Sequence, residues 1–251
     1  FDVAPNVTLV LSGVTIQNGA AEFGAGLRNA GGNVILQDVV ITGNVASGSS
    51  TSESHGGAIF NDQGNILLER VTVTGNSSEQ DGGGVYSFNG FIEVNDSSID
   101  GNASSRFGGG LTLNGGSADV IDSTISSNTA TDDGAGIPVS PGSTLTIDSS
   151  TISDNVTDDI GGGVYSLSSS VTIIESTVSG NSSGADGGGL VVEFSSLRLL
   201  RSTVHSNSAA GDGGGITVAN GSATIAQSTI SGNTAVGNGG GIANYDGSNL
   251  N

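Results

Sequence analysis

The sequence predicts an all-β protein, a single-stranded parallel β-helix of about nine coils with three short strands in each coil. Three features repeat in step: a glycine-led aliphatic residue, a second aliphatic residue, and an apolar pair with a spacing of two. A sequence that resembles itself at a fixed period of 20–50 residues is typical of stacked repeats rather than of one closed core. We therefore expect one elongated domain over residues 1–251.

The first repeated feature is a glycine pair or triplet that runs into one aliphatic residue. The nine aliphatic residues are Leu27, Ile59, Val85, Leu111, Ile137, Val164, Leu190, Ile216 and Ile242. Their separations are 32, 26, 26, 26, 27, 26, 26 and 26 residues. One coil of a solenoid therefore takes about 26 residues.

The other two features divide each repeat into strands. A second aliphatic residue recurs at Ile16, Ile41, Val73, Ile99, Ile125, Ile152, Val178, Val204 and Ile230. Before it lie the apolar pairs Leu9/Leu11, Val34/Leu36, Ile66/Leu68, Ile92/Val94, Ala118/Val120, Leu145/Ile147, Val171/Ile173, Leu197/Leu199 and Ala223/Ile225. A spacing of two is the alternation of a strand with one face inward. Turns rich in Gly, Asn, Asp and Ser separate these strands.

Stacking should place equivalent residues of successive coils above one another as columns. A glycine column has no exception: Gly24, Gly56, Gly82, Gly108, Gly134, Gly161, Gly187, Gly213 and Gly239. We expect a positive φ or a close backbone approach there. An asparagine column is expected to form a structural ladder of stacked amides, as in cross-β assemblies: Asn44, Asn76, Asn102, Asn128, Asn155, Asn181, Asn207 and Asn233. Serines should form a buried hydroxyl ladder: Ser97, Ser123, Ser150, Ser176, Ser202 and Ser228.

One coil is longer than the others, and the two ends are uncapped. Between Ile41 and Ile59 there are 18 residues instead of 12, so a loop insertion is predicted near 47–54. Neither end carries an amphipathic capping helix, and bare coil ends would expose unpaired strand edges. We therefore expect the chain to be part of a longer protein, or copies of it to stack end to end with self as partner.

The charge balance restricts the partners. The chain has 24 acidic and 5 basic residues, a net charge of −19 and no cysteine. Nucleic acid is excluded as a partner because almost nothing could neutralise phosphates. No apolar run is long enough for this segment to insert into a membrane. The acidity and the Ser/Thr/Asn/Gly content favour an extracellular or cell-surface protein, with an extracellular polymer as partner.

The repeated Gly-Gly-Gly-aliphatic element and the segment Ser-Thr-Ile-Ser-Gly-Asn-Thr-Ala from Ser228 to Ala235 resemble known repeats. They are similar to the right-handed parallel β-helix repeats of bacterial surface and secreted proteins. Gly56-Gly57-Ala58-Ile59 also resembles the short motif of polymorphic outer-membrane proteins and related adhesins. The resemblance covers the whole chain and implies a right-handed helix. The resemblance is specific for the fold. It does not distinguish between functions, because adhesins and polysaccharide-degrading enzymes share such rods.

A metal site is predicted at one position of the repeat. Asp81, Asp133, Asp186 and Asp212 each lie four residues before a glycine-led aliphatic residue, with Asn238 in the same column. Stacked carboxylates repel one another, and Ca²⁺, which binds hard oxygen ligands, would relieve the repulsion. The alternative is that these acids diverge into solvent from a turn that favours Asp. No other cofactor is expected.

We expect a non-catalytic structural or adhesive function, as a surface adhesin segment, a stalk or a filament subunit. The first alternative is a polysaccharide-active enzyme of lyase or hydrolase type. Its acid–base residues would be Arg198, Arg201 and His205 with Glu175 and Glu193, although stacking also predicts a plain ion pair between Arg201 and Glu175.

The second alternative is ice binding by a threonine column. It comprises Thr15, Thr72, Thr124, Thr151, Thr177, Thr203 and Thr229. Its hydroxyls would repeat every ~4.8 Å across the strands. Asp100 and His205 interrupt the neighbouring hydroxyl column.

Overall fold

The computed structural model describes residues 1–48, 54–245 and 247–251, which form a parallel β-solenoid of about nine coils. All regular elements in these ranges are strands, and every strand pair is parallel. Equivalent strands of successive coils are hydrogen-bonded in order, so each coil adds one strand to each sheet. No described helix is long and apolar enough to cross a membrane.

Sheet A begins with the glycine-led aliphatic residues. Its strands are Asp2–Val3, Leu27–Ala30, Ile59–Asp62, Val85–Phe88, Leu111–Asn114, Ile137–Val139, Val164–Leu167, Leu190–Glu193, Ile216–Ala219 and Ile242–Asn244. Sheet B contains the apolar pairs. Its strands are Thr8–Ser12, Asn33–Gln37, Asn65–Glu69, Phe91–Asn95, Ser117–Ile121, Thr144–Asp148, Ser170–Ile174, Ser196–Leu200, Ser222–Ala226 and Asn249–Leu250.

Sheet C carries the second aliphatic column. Its strands are Thr15–Gln17, Val40–Thr42, Thr72–Thr74, Ser98–Asp100, Thr124–Ser126, Thr151–Ser153, Thr177–Ser179, Thr203–His205 and Thr229–Ser231. Sheet D follows the asparagine column. Its strands are Ala20–Ala21, Val45–Ala46, Ser77–Ser78, Ala103–Ser104, Thr129–Ala130, Val156–Thr157, Ser182–Ser183, Ser208–Ala209 and Thr234–Ala235.

Sheet D is the difference from the predicted three strands per coil. Its two-residue strands pair because the backbone amide after each asparagine donates to the coil before it: Val45 N donates to Gly19 O at 2.9 Å, and Ser47 N to Ala21 O at 2.9 Å. Two residues are too few to show the alternation of apolar and polar residues that indicates a strand, so this strand could not be predicted from the sequence. The three predicted strands of each coil and the parallel stacking are confirmed.

The interior is a set of aliphatic columns. Ile59, Val85, Leu111 and Ile137 follow one another in sheet A and are fully buried, and the apolar pairs of sheet B and the central residues of sheet C complete the core. A single coil would leave these side chains half exposed. The core therefore depends on stacking.

Two polar ladders run beside the aliphatic columns. Asn76 Nδ2 donates to Asn102 Oδ1 at 3.0 Å, the same oxygen accepts from Asn76 N at 3.0 Å, and the pattern repeats from Asn44 to Asn233. Each asparagine from Asn44 to Asn207 is buried. In the serine column, Ser123 N donates to Ser150 Oγ at 3.0 Å. These ladders satisfy backbone amides that turns would otherwise leave unpaired.

The invariant glycine column has a positive φ at each of its nine positions, between 53° and 71°. This confirms the expectation from sequence. Of the predicted insertion near 47–54, residues 49–53 lie outside the described residues.

Candidate functional site

The predicted metal column lies on the turns that lead into sheet A. The carboxylates of Asp186 and Asp212 each accept a hydrogen bond from the backbone of the next coil: Asp186 Oδ1 from Asp212 N at 2.7 Å, and Asp212 Oδ1 from Asn238 N. Asp81 Oδ1 accepts from Phe107 N at 3.4 Å. These three aspartates therefore cap the amides of the following coil, which gives them a structural role.

Calcium binding by Asp81, Asp133, Asp186 and Asp212 stays a prediction. Phe107 and Ile160 stand in the same column between Asp81 and Asp186 and divide it. Within the described ranges, no group of three or more His, Cys, Asp or Glu side chains is arranged to hold a metal ion. If the column binds Ca²⁺, the melting temperature will rise when millimolar CaCl₂ is added and return with excess EDTA, since a ligand of the folded state alone stabilises it. Equal melting temperatures would contradict the calcium site.

The five residues considered for catalysis are not brought together. Glu193 lies on sheet A, Arg198 on sheet B and His205 on sheet C, which face different directions. Arg201 and Glu175 form an ion pair at 2.8 Å across adjacent coils. The stacked charge pairing is therefore observed, and the groove centred on Arg198, Arg201 and His205 is not.

The threonine column lies on the outer face of sheet C in continuous parallel register. Val40 and Ser98 stand in it, and Asp100 and His205 stand in the column beside it. The longest uninterrupted hydroxyl array covers three coils, Thr124–Ser126, Thr151–Ser153 and Thr177–Ser179. Such a narrow array offers an ice lattice little area.

A cleft of about 290 Å³ opens beside the outer face of sheet A. Thr112 and Pro138 form its floor. Both residues are buried, and each is the second residue of its sheet A strand in two successive coils. Tyr86 and Tyr165 occupy the same position one coil before and one coil after them. The tyrosines are three coils apart, or ~14 Å at ~4.8 Å per coil. Small residues between two large ones therefore create the depression.

The turns that lead into sheet A form the other wall, which is charged. Asp81, Phe107 and Asp133 follow one another there in three successive coils, and Arg106 borders them. The volume is near the lower end of the ~300–1,000 Å³ typical of ligand pockets, and the mixture of aromatic, hydroxyl and carboxylate groups is typical of pocket linings.

At one end of the cleft the Asp81 carboxylate lies beside two basic side chains. The Asp81 carboxylate lies 3.5 Å from His55 Nδ1 and 3.9 Å from an Arg106 guanidinium nitrogen. Burial raises the pKa of Asp81, while the charges of His55 and Arg106 act to lower it. The His55 ring also stacks on Tyr86 at a centroid distance of 4.5 Å. This end is thus packed and its carboxylate has cationic neighbours.

The Asp133 end has no such compensation. Burial and the nearby carboxylate of Asp159 raise the pKa of Asp133 to about 6. Asp132 and Glu193 add further repulsion. No arginine or histidine in the part of the chain that the structure describes forms an ion pair with Asp133. The two ends of the cleft therefore differ: basic side chains lie beside Asp81, and carboxylates lie beside Asp133.

Tyr165 is fixed in place at the acidic end. Its hydroxyl donates to Glu193 Oε2 at 2.9 Å in the next coil. Burial and this hydrogen bond raise the pKa of Tyr165, so the phenol stays protonated. The ring is half-buried and one of its sides faces the cleft. The hydrogen bond to Glu193 therefore fixes the ring at the edge of the cleft.

The sequence predicted Asp81 and Asp133 as site residues for a different reason, and it missed Tyr86, Arg106, Thr112, Pro138 and Tyr165. These five residues lie on four coils, and none belongs to a repeated column of one type. A usable signal was the irregularity of one repeat position, which holds residues of very different size: Arg28, Phe60, Tyr86, Thr112, Pro138, Tyr165, Val191, Thr217 and Ala243.

The comparisons with known proteins bear on the fold. The family model of the right-handed β-helix region matches residues 37–196 and 108–251. No curated protein matches this chain. Among solved structures, the chain is similar to pectate lyase Pel9A, with 16% identity and a TM-score of 0.48 over 89% of this chain and 62% of that one.

A second structure is HetL, a pentapeptide repeat protein from the cyanobacterium Nostoc sp. strain PCC 7120. It shows 7% identity and a TM-score of 0.18 over 93% of this chain and 91% of that one. Likenesses of this size carry no argument about activity. The family match covers most of the sequence and agrees with the observed coils, so the chain belongs to the right-handed β-helix family.

Proposed function

We propose that this chain is an extracellular, non-catalytic β-helix that binds a glycan in the cleft on sheet A. The observation that carries the proposal is the cleft itself: a depression along the rod, with Tyr165 on one wall, the Thr112 hydroxyl on the floor and carboxylates opposite. An aromatic ring offers a flat apolar surface to the C–H face of a sugar. Carboxylates and hydroxyls accept hydrogen bonds from sugar hydroxyls.

The solenoid supplies the rigidity that such binding needs. The cleft residues lie on strands of sheet A or on the turns beside them, and these backbones are held by the hydrogen bonds between coils. A preformed site loses little conformational entropy when a polymer binds. A rigid rod with a lateral cleft fits the adhesive function that the repeat pattern and the acidic surface also favour.

The test is the Tyr165→Ala variant. We expect it to weaken oligosaccharide binding at least tenfold, because the stacking surface is lost, while Tyr165→Phe keeps most of the affinity. Affinities are measured by isothermal titration calorimetry against a panel of neutral and amine-bearing oligosaccharides. Tyr245→Ala is the matched control: it removes the tyrosine that lies on the last coil, where its hydroxyl bonds to Asp212 at 2.7 Å.

The outcomes separate the candidate functions. Unchanged affinity in Tyr165→Ala would contradict the proposal. The chain length of each oligosaccharide is also measured by mass spectrometry after incubation, and we expect it to stay constant. Shortened products that disappear in Asp133→Asn would instead establish the polysaccharide-active alternative, in which a carboxyl group of raised pKa serves as general acid.

A further inference from the structure

We infer that the cleft selects glycans whose sugars carry free amino groups, with a ligand ammonium placed against Asp133 and Asp159. This inference rests on the proposed function and specifies its ligand class. It follows from the unequal charge of the two ends of the cleft.

The first step is the charge count. Five carboxylates line or border the cleft, those of Asp81, Asp132, Asp133, Asp159 and Glu193, against one guanidinium, that of Arg106. The Arg106 guanidinium is occupied: it donates to Gln80 Oε1 at 2.9 Å and lies 3.8 Å from Asp132. Carboxylates therefore outnumber the basic side chains Arg106 and His55, which both lie beside Asp81, and this balance disfavours an anionic polymer such as a polyuronate. Its carboxylates would meet like charges in a partly buried site, where repulsion is stronger than in water.

The second step is the position of the uncompensated charge. Asp133 lines the cleft, with Asp132 beside it in the chain and Asp159 in the next coil. The charged groups that act most strongly on Asp133 are the carboxylates of Asp159, Asp132 and Glu193, and the nearest arginine, Arg106, lies 3.8 Å from Asp132. An ammonium ion at this end would pair with two carboxylates at once. Charge-assisted hydrogen bonds of this kind are about twice as strong as neutral ones.

The third step is the aromatic wall. Tyr165 stands one coil beyond Pro138 at the same acidic end. The face of a tyrosine ring attracts a cation, so an amino sugar stacked on it gains both contacts. The carboxylates of Asp133 and Asp159 repel each other, and a bound ammonium would relieve that repulsion.

The experiment compares three oligosaccharides of equal length: a glucosamine oligomer with free amines, its fully N-acetylated form, and a galacturonate oligomer. We expect the free-amine oligomer to bind at least tenfold more tightly than the acetylated one at pH 6 and low salt, and the galacturonate not to bind. Raising the NaCl concentration should weaken only the free-amine complex, since salt screens charge interactions. Asp133→Asn should remove the tenfold preference for the free-amine oligomer over the acetylated one.

The chain carries a charge of −19 and would attract any polycation, so a matched charge control is needed. Asp119→Asn removes one carboxylate from the outer face of sheet B, away from the cleft. An equal loss in Asp119→Asn and Asp133→Asn would overturn the inference. Equal affinity for the free-amine and acetylated oligomers would overturn it as well, while leaving the proposed function intact. Binding of no oligosaccharide would reject both.

Discussion

Asn128→Ala is expected to lower the free energy of unfolding by about 3–5 kcal/mol, because it interrupts the asparagine ladder in the middle of the rod. The Asn128 side chain is fully buried. Its Oδ1 accepts from Asn102 N at 2.9 Å and from Asn102 Nδ2 at 3.1 Å, and its Nδ2 donates to Ile99 O at 3.0 Å and to Asn155 Oδ1 at 3.0 Å. Alanine would leave several of these buried groups without partners.

The measurement is urea unfolding followed by far-ultraviolet circular dichroism, with the stability taken from the shift in midpoint. Asn233→Ala is the matched control, since Asn233 is the last rung and is only half-buried. Because this rung is near the open end of the ladder, water can take the place of Asn233 Oδ1 and accept the hydrogen bonds of Asn207 N and Nδ2. We expect a loss of about 1 kcal/mol there. Equal losses of unfolding free energy at the two positions would show that the stability contributed by a rung does not depend on its burial.

Gly82→Ala is expected to lower the free energy of unfolding by about 3–4 kcal/mol, because the added methyl group meets both an unfavourable φ and steric overlap. Gly82 has a φ of +68°, where a side chain is strained. A Cβ there would also lie 2.7 Å from the Tyr86 Cβ and 2.8 Å from the Val85 carbonyl oxygen. These atoms belong to a strand whose backbone is bonded to both neighbouring coils, so they cannot move aside.

Gly101→Ala separates the two penalties. Gly101 has a φ of +63°, but a Cβ there would meet nothing closer than the Thr74 Oγ1 at 3.9 Å. Other coils place Ser127 and Asp154 at this turn with a similar φ. We expect Gly101→Ala to cost about 1 kcal/mol. Melting temperatures of the two variants give the comparison, and a loss in Gly101→Ala as large as that in Gly82→Ala would mean that φ alone explains the glycine column.

The outer turn between sheets B and C illustrates what a repeat pattern does not reveal. A column of charges was visible in sequence: Asp38, Arg70, Asp96, Asp122, Glu175 and Arg201. The ion pair between Arg201 and Glu175 was predictable from the spacing. The structure adds that all six residues have a φ near +50°. Arg and Glu seldom adopt this conformation, and it is set here by the turn geometry that each coil shares with its neighbours.

The sequence by itself determined the number of coils, the parallel stacking, the aliphatic columns and the residues of the two polar ladders. It could do so because each of these depends on residue types that recur at one spacing, and a stacked coil repeats its surroundings with the same period. The cleft was decided only by the tertiary structure. It arises where Thr112 and Pro138 replace large side chains between Tyr86 and Tyr165, and where Asp133 finds carboxylates but no cation beside it. A depression and an uncompensated charge are properties of several coils together, so no single repeat encodes them.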